Sequence, residues 1–360
     1  MKKMEGTKIK VFFANTIARF CWFAVVFCNA LICLSGGCIP KTENEVVVYS
    51  ALDREFAEPI LDRLGPELDL RVLPKFDQES NKTVGLVTEI IQSKGRPQAD
   101  IFWNNEILHT LRLQKMGLLE VYRSPAAETF PAQYISSRDQ WHGFAARARV
   151  LIVNTNLITD PDQMPDSIFD LADPKWKHKC AIARPLFGTT ATHAAVLFAT
   201  MGEAEAVELL TKVANNAVVE GGNKQVAIKV ARGEYAFGLT DTDDAMIELN
   251  NANPVAIVFP DQGSDQMGTL LIPNTLSIIK NGPNPTRARK LVDRLLAADV
   301  EQELALSQSA QIPLNRSVTT KSPAVPDSLS LKIMQVDFER AADQWDQATK
   351  ILTRLFPAGN

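Results

Sequence analysis

Short β-branched segments alternate with segments of helical spacing along this chain, and this order limits its fold more than any other feature of the sequence. Residues 46–49 are a β-branched run that ends in an aromatic residue, and the segment behind them places Phe56, Ile60 and Leu64 on one helical face. The same succession returns at residues 180–183 and in the apolar helical segment that follows them. Strands that alternate with helices favour a parallel sheet with helices on both faces. We therefore predict an α/β fold.

Two apolar strands are predicted to cross between two lobes and to form a hinge. The first occupies residues 147–154, whose centre is wholly apolar, and the second occupies residues 268–279, which Pro273 and Asn274 interrupt. A chain of 360 residues with 46% hydrophobic positions is too long for one small domain. The expected division is residues 46–146 and 273–310 for lobe 1, residues 147–272 for lobe 2, and residues 311–360 for a C-terminal helical segment that packs on the lobes.

The N-terminal region predicts export. Basic residues from Lys2 to Arg19 precede residues 20–34, which carry no charge and are shorter than the roughly 20 residues needed to span a bilayer. The sequence LSGGC at residues 34–38 resembles the lipobox of bacterial lipoproteins, although Ser35 stands where that pattern prefers an aliphatic residue. We expect residues 1–38 to be a signal peptide, Cys38 to be lipidated and residues 39–45 to be a tether. The alternatives are cleavage without lipidation and an uncleaved anchor.

Charge and cysteine usage exclude two classes of protein. The net charge is −4 and no basic block interrupts the chain, so the sequence predicts no nucleic-acid partner. Cys180 is the only cysteine after the first forty residues, which excludes a disulfide framework in the body of the protein. Since Cys180 opens an apolar run, we interpret it as a buried structural residue, with a catalytic nucleophile as the alternative.

Several ordered segments carry a family resemblance. They are DIFWNNE at residues 100–106, ARARV at 146–150, DLADPKWK at 170–177 and ARGE at 231–234. In their order and spacing the chain resembles the periplasmic binding proteins of the ferric-iron class, within the wider group that serves importers of thiamine, polyamines, phosphonates and small anions.

That resemblance implies a type II periplasmic-binding-protein fold, in which mixed sheets flanked by helices form two lobes joined by crossing strands. It also implies a function: a monomeric lipoprotein at the periplasm or the outer face of a membrane captures a small polar or ionic solute between its lobes. The protein then delivers the solute to the ABC permease in the cytoplasmic membrane. No cofactor is implied, and no metal is required.

The loops at the carboxyl ends of the predicted strands supply the candidate ligand-binding residues, because ligands of open α/β sheets bind there and at helix N-termini. The candidates are Ser50, Asp53, Asn104, Asn105, Arg147, Thr189, Thr190, Asn223, Asp241 and Asp243. For Thr189 and Thr190 the alternative is simple helix capping, and for Asn223 with Lys224 it is a solvated turn.

The arginines and the acidic cluster each leave two interpretations open. Arg147 and Arg149 share one face of the first crossing strand, where one is expected to bind the ligand and the other to brace the hinge; the alternative is a surface ion pair. Asp241, Asp243 and Asp244 need a cation, an arginine or hydrogen-bond donors to balance their repulsion. A metal, if one binds, is expected at Asp241 and Asp243. The alternative is a helix N-terminus that Asp241 caps.

Adjacent tyrosines hold the metal in the iron-binding members of the resembled class, and this chain lacks such a pair. Alignment from the preceding strand puts Thr242 and Asp243 at those positions. The sequence therefore excludes ferric iron held by phenolate oxygens.

Two rival functions remain. One is an enzyme that uses Asp243 or His193, although no HExxH, GxSxG, P-loop or GxGxxG motif occurs. The other is a ligand-sensing receptor or adaptor of the same two-lobe shape. We expect a binding protein rather than an enzyme.

Overall fold

A computed structural model describes residues 44–77, 83–327 and 329–357. The predicted signal peptide, the lipidation of Cys38 and nearly all of the predicted tether lie outside these residues. Residues 44–360 form one compact unit by themselves. No helix within the described part of the chain combines the length and apolar character that a membrane crossing requires.

Nine strands form two connected sheets in the described chain. Their bounds are β1 Glu45–Ser50, β2 Arg71–Phe76, β3 Ile101–Asn104, β4 His142–Asn154, β5 Cys180–Ala183, β6 Val218–Glu220, β7 Phe237–Asp241, β8 Val255–Val258 and β9 Leu271–Ile278. β1 pairs in parallel with β2 and β3, and β5 pairs in parallel with β6 and β7. The antiparallel partners β4 and β9 make both sheets mixed, as predicted.

Ten α-helices pack against these sheets in the described chain. Their bounds are α1 Arg54–Glu67, α2 Val84–Gln92, α3 Leu108–Lys115, α4 Gly188–Met201, α5 Glu203–Asn216, α6 Asn223–Ala231, α7 Thr242–Asn250, α8 Pro285–Leu295, α9 Ala298–Leu306 and α10 Phe338–Leu355. α4 is buried around almost its whole circumference because its sequence is nearly all apolar or small. Helices of this kind lie inside a fold rather than on its surface.

The thirteen-residue strand β4 belongs to both sheets. Its first half pairs with β9 as far as Ala148, and its second half pairs with β7 from Arg149 and with β8 from Leu151. β4 is therefore the first of the predicted crossing strands. The chain returns from β8 to the first sheet at β9, which contains Pro273 and Asn274. The mixed α/β fold with one crossing strand is confirmed, whereas β9 pairs with β3 and β4 in the first sheet, so the second crossing is the connection before β9 and not the strand itself.

A β-bulge interrupts β4 shortly before the crossing. The register against β9 shifts between Phe144 and Arg147, and Ala145 has a positive φ of 42°. The carboxylate of Glu301 accepts a hydrogen bond from the Ala145 N–H, and the Asn274 side chain donates to the Ala145 carbonyl. These two bonds stabilise a backbone conformation that is unfavourable for a residue with a Cβ atom.

The C-terminal helix begins later than the sequence indicates. A helical segment was expected over residues 311–360, but α10 begins only at Phe338, and Ile333 before it makes a parallel bridge with Thr269. α10 buries Phe338, Ala341, Trp345, Ala348 and Leu352 along one face. Its side chains reach Lys115 of α3 in lobe 1 and Glu203 of α5 in lobe 2.

Candidate functional site

A cavity, here called the cleft cavity, lies where the carboxyl ends of strands from both lobes meet. Its lining residues are Asp53, Asn105, Arg147, Ala183, Phe187, Gly188, Thr189, Thr190, Gly221, Gly222, Asn223, Lys224, Asp241, Asp243 and Asp244. Its volume is about 50 Å³, room for a few water molecules at 10–15 Å³ each in the same measure.

Most of the sequence-predicted site residues line this cavity, but Ser50 and Asn104 do not. Both side chains are fully buried, and Asn104 Nδ2 donates to Glu106 Oε1 at 2.8 Å and to Thr110 Oγ1 at 3.0 Å. Ser50 Oγ donates to the Leu52 carbonyl at 3.4 Å. These two residues therefore support the lobe 1 wall from behind.

Arg149 and Asp241 form a buried ion pair in the lobe 2 wall. Arg149 Nη1 lies 2.6 Å from Asp241 Oδ1, and neither side chain is more than 2% exposed. Burial opposes ionisation of Asp241, but the guanidinium groups of Arg149 and Arg147 outweigh it and hold the pKa of this carboxyl below its ordinary value. Asp241 also accepts hydrogen bonds from Thr189 Oγ1 at 2.5 Å and Asn223 Nδ2 at 3.0 Å.

Arg149 thereby organises the start of two helices. Its Nη1 donates to Thr189 Oγ1 and its Nη2 to Thr190 Oγ1, both at 3.2 Å. Thr190 Oγ1 in turn donates to Asn223 Oδ1 at 3.0 Å, which links α4 to α6. The surface ion pair considered for the arginines is wrong, because both arginines are buried.

Arg147 lies one pleat before Arg149 and connects the two lobes. Its Nη1 is 3.0 Å from Asp243 Oδ2 and 3.5 Å from Asp241 Oδ2, while its Nη2 donates to the carbonyl oxygen of Asn105. Burial disfavours its charge, but Asp243 and Asp241 raise the pKa of Arg147 above its usual value. Arg147 thus stays protonated in the cavity wall.

The N-termini of α4 and α6 open into the cleft cavity without side-chain caps. The residues before them, Phe187 and Gly222, make no capping hydrogen bond through a side chain, and neither first turn contains an acidic residue. Within the described chain, no backbone group accepts a hydrogen bond from the N–H groups of Thr189 or Lys224. The helix dipoles and these donors favour an anionic group at this end of the cavity.

The N-terminus of α7 has the opposite character, since Asp243 and Asp244 lie in its first turn. Asp241 occupies the N-cap position, but its side chain makes no capping hydrogen bond. The interpretation of Asp241 as a cap is therefore wrong: its carboxylate faces Arg149 instead. This end of the cavity offers acceptors for hydroxyl or ammonium groups.

The acidic cluster has the spacing of a metal site, but arginines already balance its charge. Carboxylate oxygens of Asp241, Asp243 and Asp244 lie within 4.8 Å of one another, a spacing that suits a hard cation. Asp241 and Asp243 are, however, already neutralised by Arg149 and Arg147. No tyrosine is among the lining residues. The cluster therefore fits an arginine-balanced polar wall better than a metal centre.

Sequence reasoning overlooked the contribution of Glu106 and Thr192. Glu106 is fully buried beside Asn105 and accepts a hydrogen bond from Thr192 Oγ1 of α4 at 2.8 Å. Glu106 also accepts one from the His109 N–H at 3.0 Å, near the start of α3. An acidic residue two positions before a predicted helix is the signal that could have identified this role.

Comparisons with known proteins agree with this architecture. Residues 99–340 match the family model described as bacterial extracellular solute-binding protein. An uncharacterised protein of Haemophilus influenzae is 24% identical over 310 residues, which cover 83% of this chain and 86% of the relative.

Solved structures of periplasmic binding proteins share the fold. The apo ferric ion-binding protein A of Pasteurella haemolytica has a TM-score of 0.77 at 22% identity, covering 87% of this chain and 98% of that one. The periplasmic binding protein AfuA of Actinobacillus pleuropneumoniae, with exogenous fructose-6-phosphate bound, has a TM-score of 0.75 at 23% identity, covering 88% and 100%. The fold is thus the type II periplasmic-binding-protein fold, and because the family match spans more than half of the sequence, this chain belongs to the bacterial extracellular solute-binding proteins.

Proposed function

We propose that this protein captures a small organic anion carrying hydroxyl or amino groups and delivers it to the permease of an ABC importer. The observation that carries the proposal is the mixed polarity of the cleft cavity, whose wall combines the uncapped N-termini of α4 and α6, here called the anion end, with the carboxylates of Asp243 and Asp244. A phosphate or carboxylate group fits the helix N-termini, and hydroxyl or ammonium donors fit the carboxylates.

Lys224 adds a positive charge to the anion end. Its side chain is exposed, lines the cleft cavity and takes part in no ion pair within the described chain. Gly221 and Gly222 precede it and leave room for a ligand to approach the backbone. A lysine beside the N-terminal N–H groups of a helix supports binding of an oxyanion.

The relatives offer two kinds of solute, and the wall chemistry favours one of them. One similar structure is named as a ferric ion-binding protein, and another contains fructose-6-phosphate. Arg147 and Arg149 already balance two carboxylates of the acidic cluster, so a bare cation gains little there. A phosphorylated or carboxylated polyol suits the same wall.

Solute capture is proposed to proceed by rotation of lobe 2, residues 147–272, against lobe 1, residues 46–146 and 273–310. β4 and the connection into β9 are the described chain crossings between the two sheets. Hinge closure of this kind encloses a solute that could not enter the closed cavity.

A matched screen tests the proposed solute class. Unfolding temperatures would be measured with fructose-6-phosphate, fructose, inorganic phosphate and ferric citrate, each with and without a chelator. A ligand at about 100 times its Kd stabilises by roughly 2.7 kcal/mol. We expect the phosphorylated sugar to act more strongly than its parent sugar and the chelator to have no effect. Stabilisation by iron alone that a chelator abolishes would refute the proposal. Mass spectrometry of the released solute should find it chemically unchanged.

The protein is further proposed to be held at the membrane by a lipid on Cys38. The support is the basic, apolar and small-residue order of the N-terminal sequence. Cys38→Ser should release the protein from the membrane fraction, and its retention there would contradict lipid anchoring.

A further inference from the structure

The carboxylate of Glu106 is buried at the boundary between the two lobes. Within lobe 1 it accepts hydrogen bonds from Asn104 Nδ2 at 2.8 Å, from the His109 N–H at 3.0 Å and from the Leu108 N–H. These donors satisfy the charge with groups from β3 and the start of α3. Glu106 therefore has partners in its own lobe, whatever the position of lobe 2.

A further donor reaches Glu106 from lobe 2. Thr192 Oγ1 lies 2.8 Å from Glu106 Oε2. Thr192 is the fifth residue of α4, and its side chain is buried. Thr192 follows directly after the first turn of α4, whose residues Thr189 and Thr190 line the cleft cavity. The neighbour of Glu106, Asn105, lines the same cavity from lobe 1. The hydrogen bond between Thr192 and Glu106 thus links the start of α4 in lobe 2 to the residue that follows Asn105 in lobe 1.

We propose that Thr192 and Glu106 form a reversible latch that holds the lobes closed and positions the start of α4 against the lobe 1 wall. This role rests on the proposed function only in that the closed cavity is the solute-bound form. The latch can open because both Glu106 and Thr192 keep a hydrogen-bond partner when the bond between them is broken. Glu106 keeps its donors in lobe 1, and the Thr192 hydroxyl can bond the Gly188 carbonyl of its own helix, which lies 3.4 Å away.

The Thr192 hydroxyl has a charged acceptor in Glu106 and a neutral one in the Gly188 carbonyl, and the bond to the charged acceptor is the stronger. Removing the hydroxyl should therefore shift the ratio of closed to open molecules about tenfold. Arg147 Nη2, which donates to the Asn105 carbonyl, remains as a second link between the lobes in such a variant.

Interlobe distance measurements test the latch without any solute, so failure of the proposed solute class leaves the test intact. Spin labels would be attached to a genetically encoded keto amino acid at exposed Asp62 in lobe 1 and exposed Gln225 in lobe 2. Distance distributions from pulsed electron resonance would then be compared among the wild type, Thr192→Val and Thr192→Ser. Valine has nearly the shape of threonine without the hydroxyl, and serine keeps the hydroxyl.

We expect Thr192→Val to enlarge the long-distance population about tenfold and Thr192→Ser to match the wild type. Identical distributions in the wild type and Thr192→Val would overturn the latch, even if the valine variant unfolds at a lower temperature. A shift of equal size in Thr192→Ser would also overturn it, because packing rather than the hydroxyl would then be responsible. Thr192→Ala replaces the valine variant if the latter does not fold.

Discussion

The two walls of the cleft cavity are built differently. Lobe 1 contributes Asp53 and Asn105, whereas lobe 2 and the crossing strand contribute the helix N-termini, the aspartates and the arginines. In the lobe 2 wall, Asp241, Thr189 and Asn223 are fixed by hydrogen bonds to one another and to Arg149. On the proposed function, lobe 2 therefore holds the binding chemistry ready and lobe 1 closes over it.

The preorganised wall depends most on Arg149, and its removal should have the largest effect. We expect Arg149→Met to lower the free energy of unfolding by about 3–5 kcal/mol, because it leaves the buried charge of Asp241 without its nearest partner. Urea denaturation would measure the change. The matched control is Arg123→Met in lobe 1, which breaks an exposed pair with Asp139 and should cost less than about 1 kcal/mol. Equal losses in both variants would show that the lobe 2 wall is no more preorganised than the surface.

A second prediction compares buried histidines in the two lobes through pH. Burial lowers the pKa of His142 in lobe 1 to about 4 and that of His193 in lobe 2 to about 3. In the unfolded chain both titrate near their ordinary value of about 6.5, so the unfolded state takes up protons first as pH falls. Stability is therefore complete above about pH 6.5 and declines towards the folded pKa values.

Between pH 8 and pH 5 each of these histidines should reduce the free energy of unfolding by about 2 kcal/mol. His142 Nε2 also accepts a hydrogen bond from the Ser124 N–H at 3.1 Å, which protonation would break. We expect His142→Gln to flatten the pH dependence measured by urea denaturation. An unaltered slope in His142→Gln would show that His142 does not contribute to the acid sensitivity.

The smallest expected effect concerns the anion end of the lobe 2 wall. Lys224→Gln should weaken binding of fructose-6-phosphate about tenfold by calorimetry without changing the unfolding temperature, because Lys224 is exposed and unpaired in the described chain. Lys212→Gln removes an exposed lysine of α5 and should leave the Kd unchanged. If both variants bind equally well, the anion does not lie beside Lys224.

The order of elements was predictable because each strand and helix has its own hydrophobic period. Residues 150–153 are wholly apolar and can be recognised as the centre of a strand, and Asp243 and Asp244, which follow β7, line the cavity. The C-terminal helical segment is shorter than expected, since α10 begins at Phe338; the apolar residues Leu329, Leu331 and Ile333 before it repeat every second residue, which is the period of extended chain.

The hydrogen-bond partners of the site residues were less predictable from the sequence than the positions of these residues at the ends of strands. Arg149 and Asp241 are separated by 92 residues, and nothing local to either indicates the other. Asn104, at the end of β3, was expected to face the ligand, but its side chain turns to Glu106 and Thr110. Sequence periodicity shows which residues reach a sheet edge, whereas tertiary hydrogen bonding decides which of them face the solute.

The passage of β4 from one sheet into the other also has a mechanical consequence. Both arginines project from the short stretch of β4 in which the strand changes partners from β9 to β7. If the lobes rotate as proposed, a twist of this stretch moves the guanidinium of Arg147 relative to the Asn105 carbonyl. In the proposed binding mode the same side chain would then depend on both solute occupancy and lobe angle, with no relay of intervening side chains.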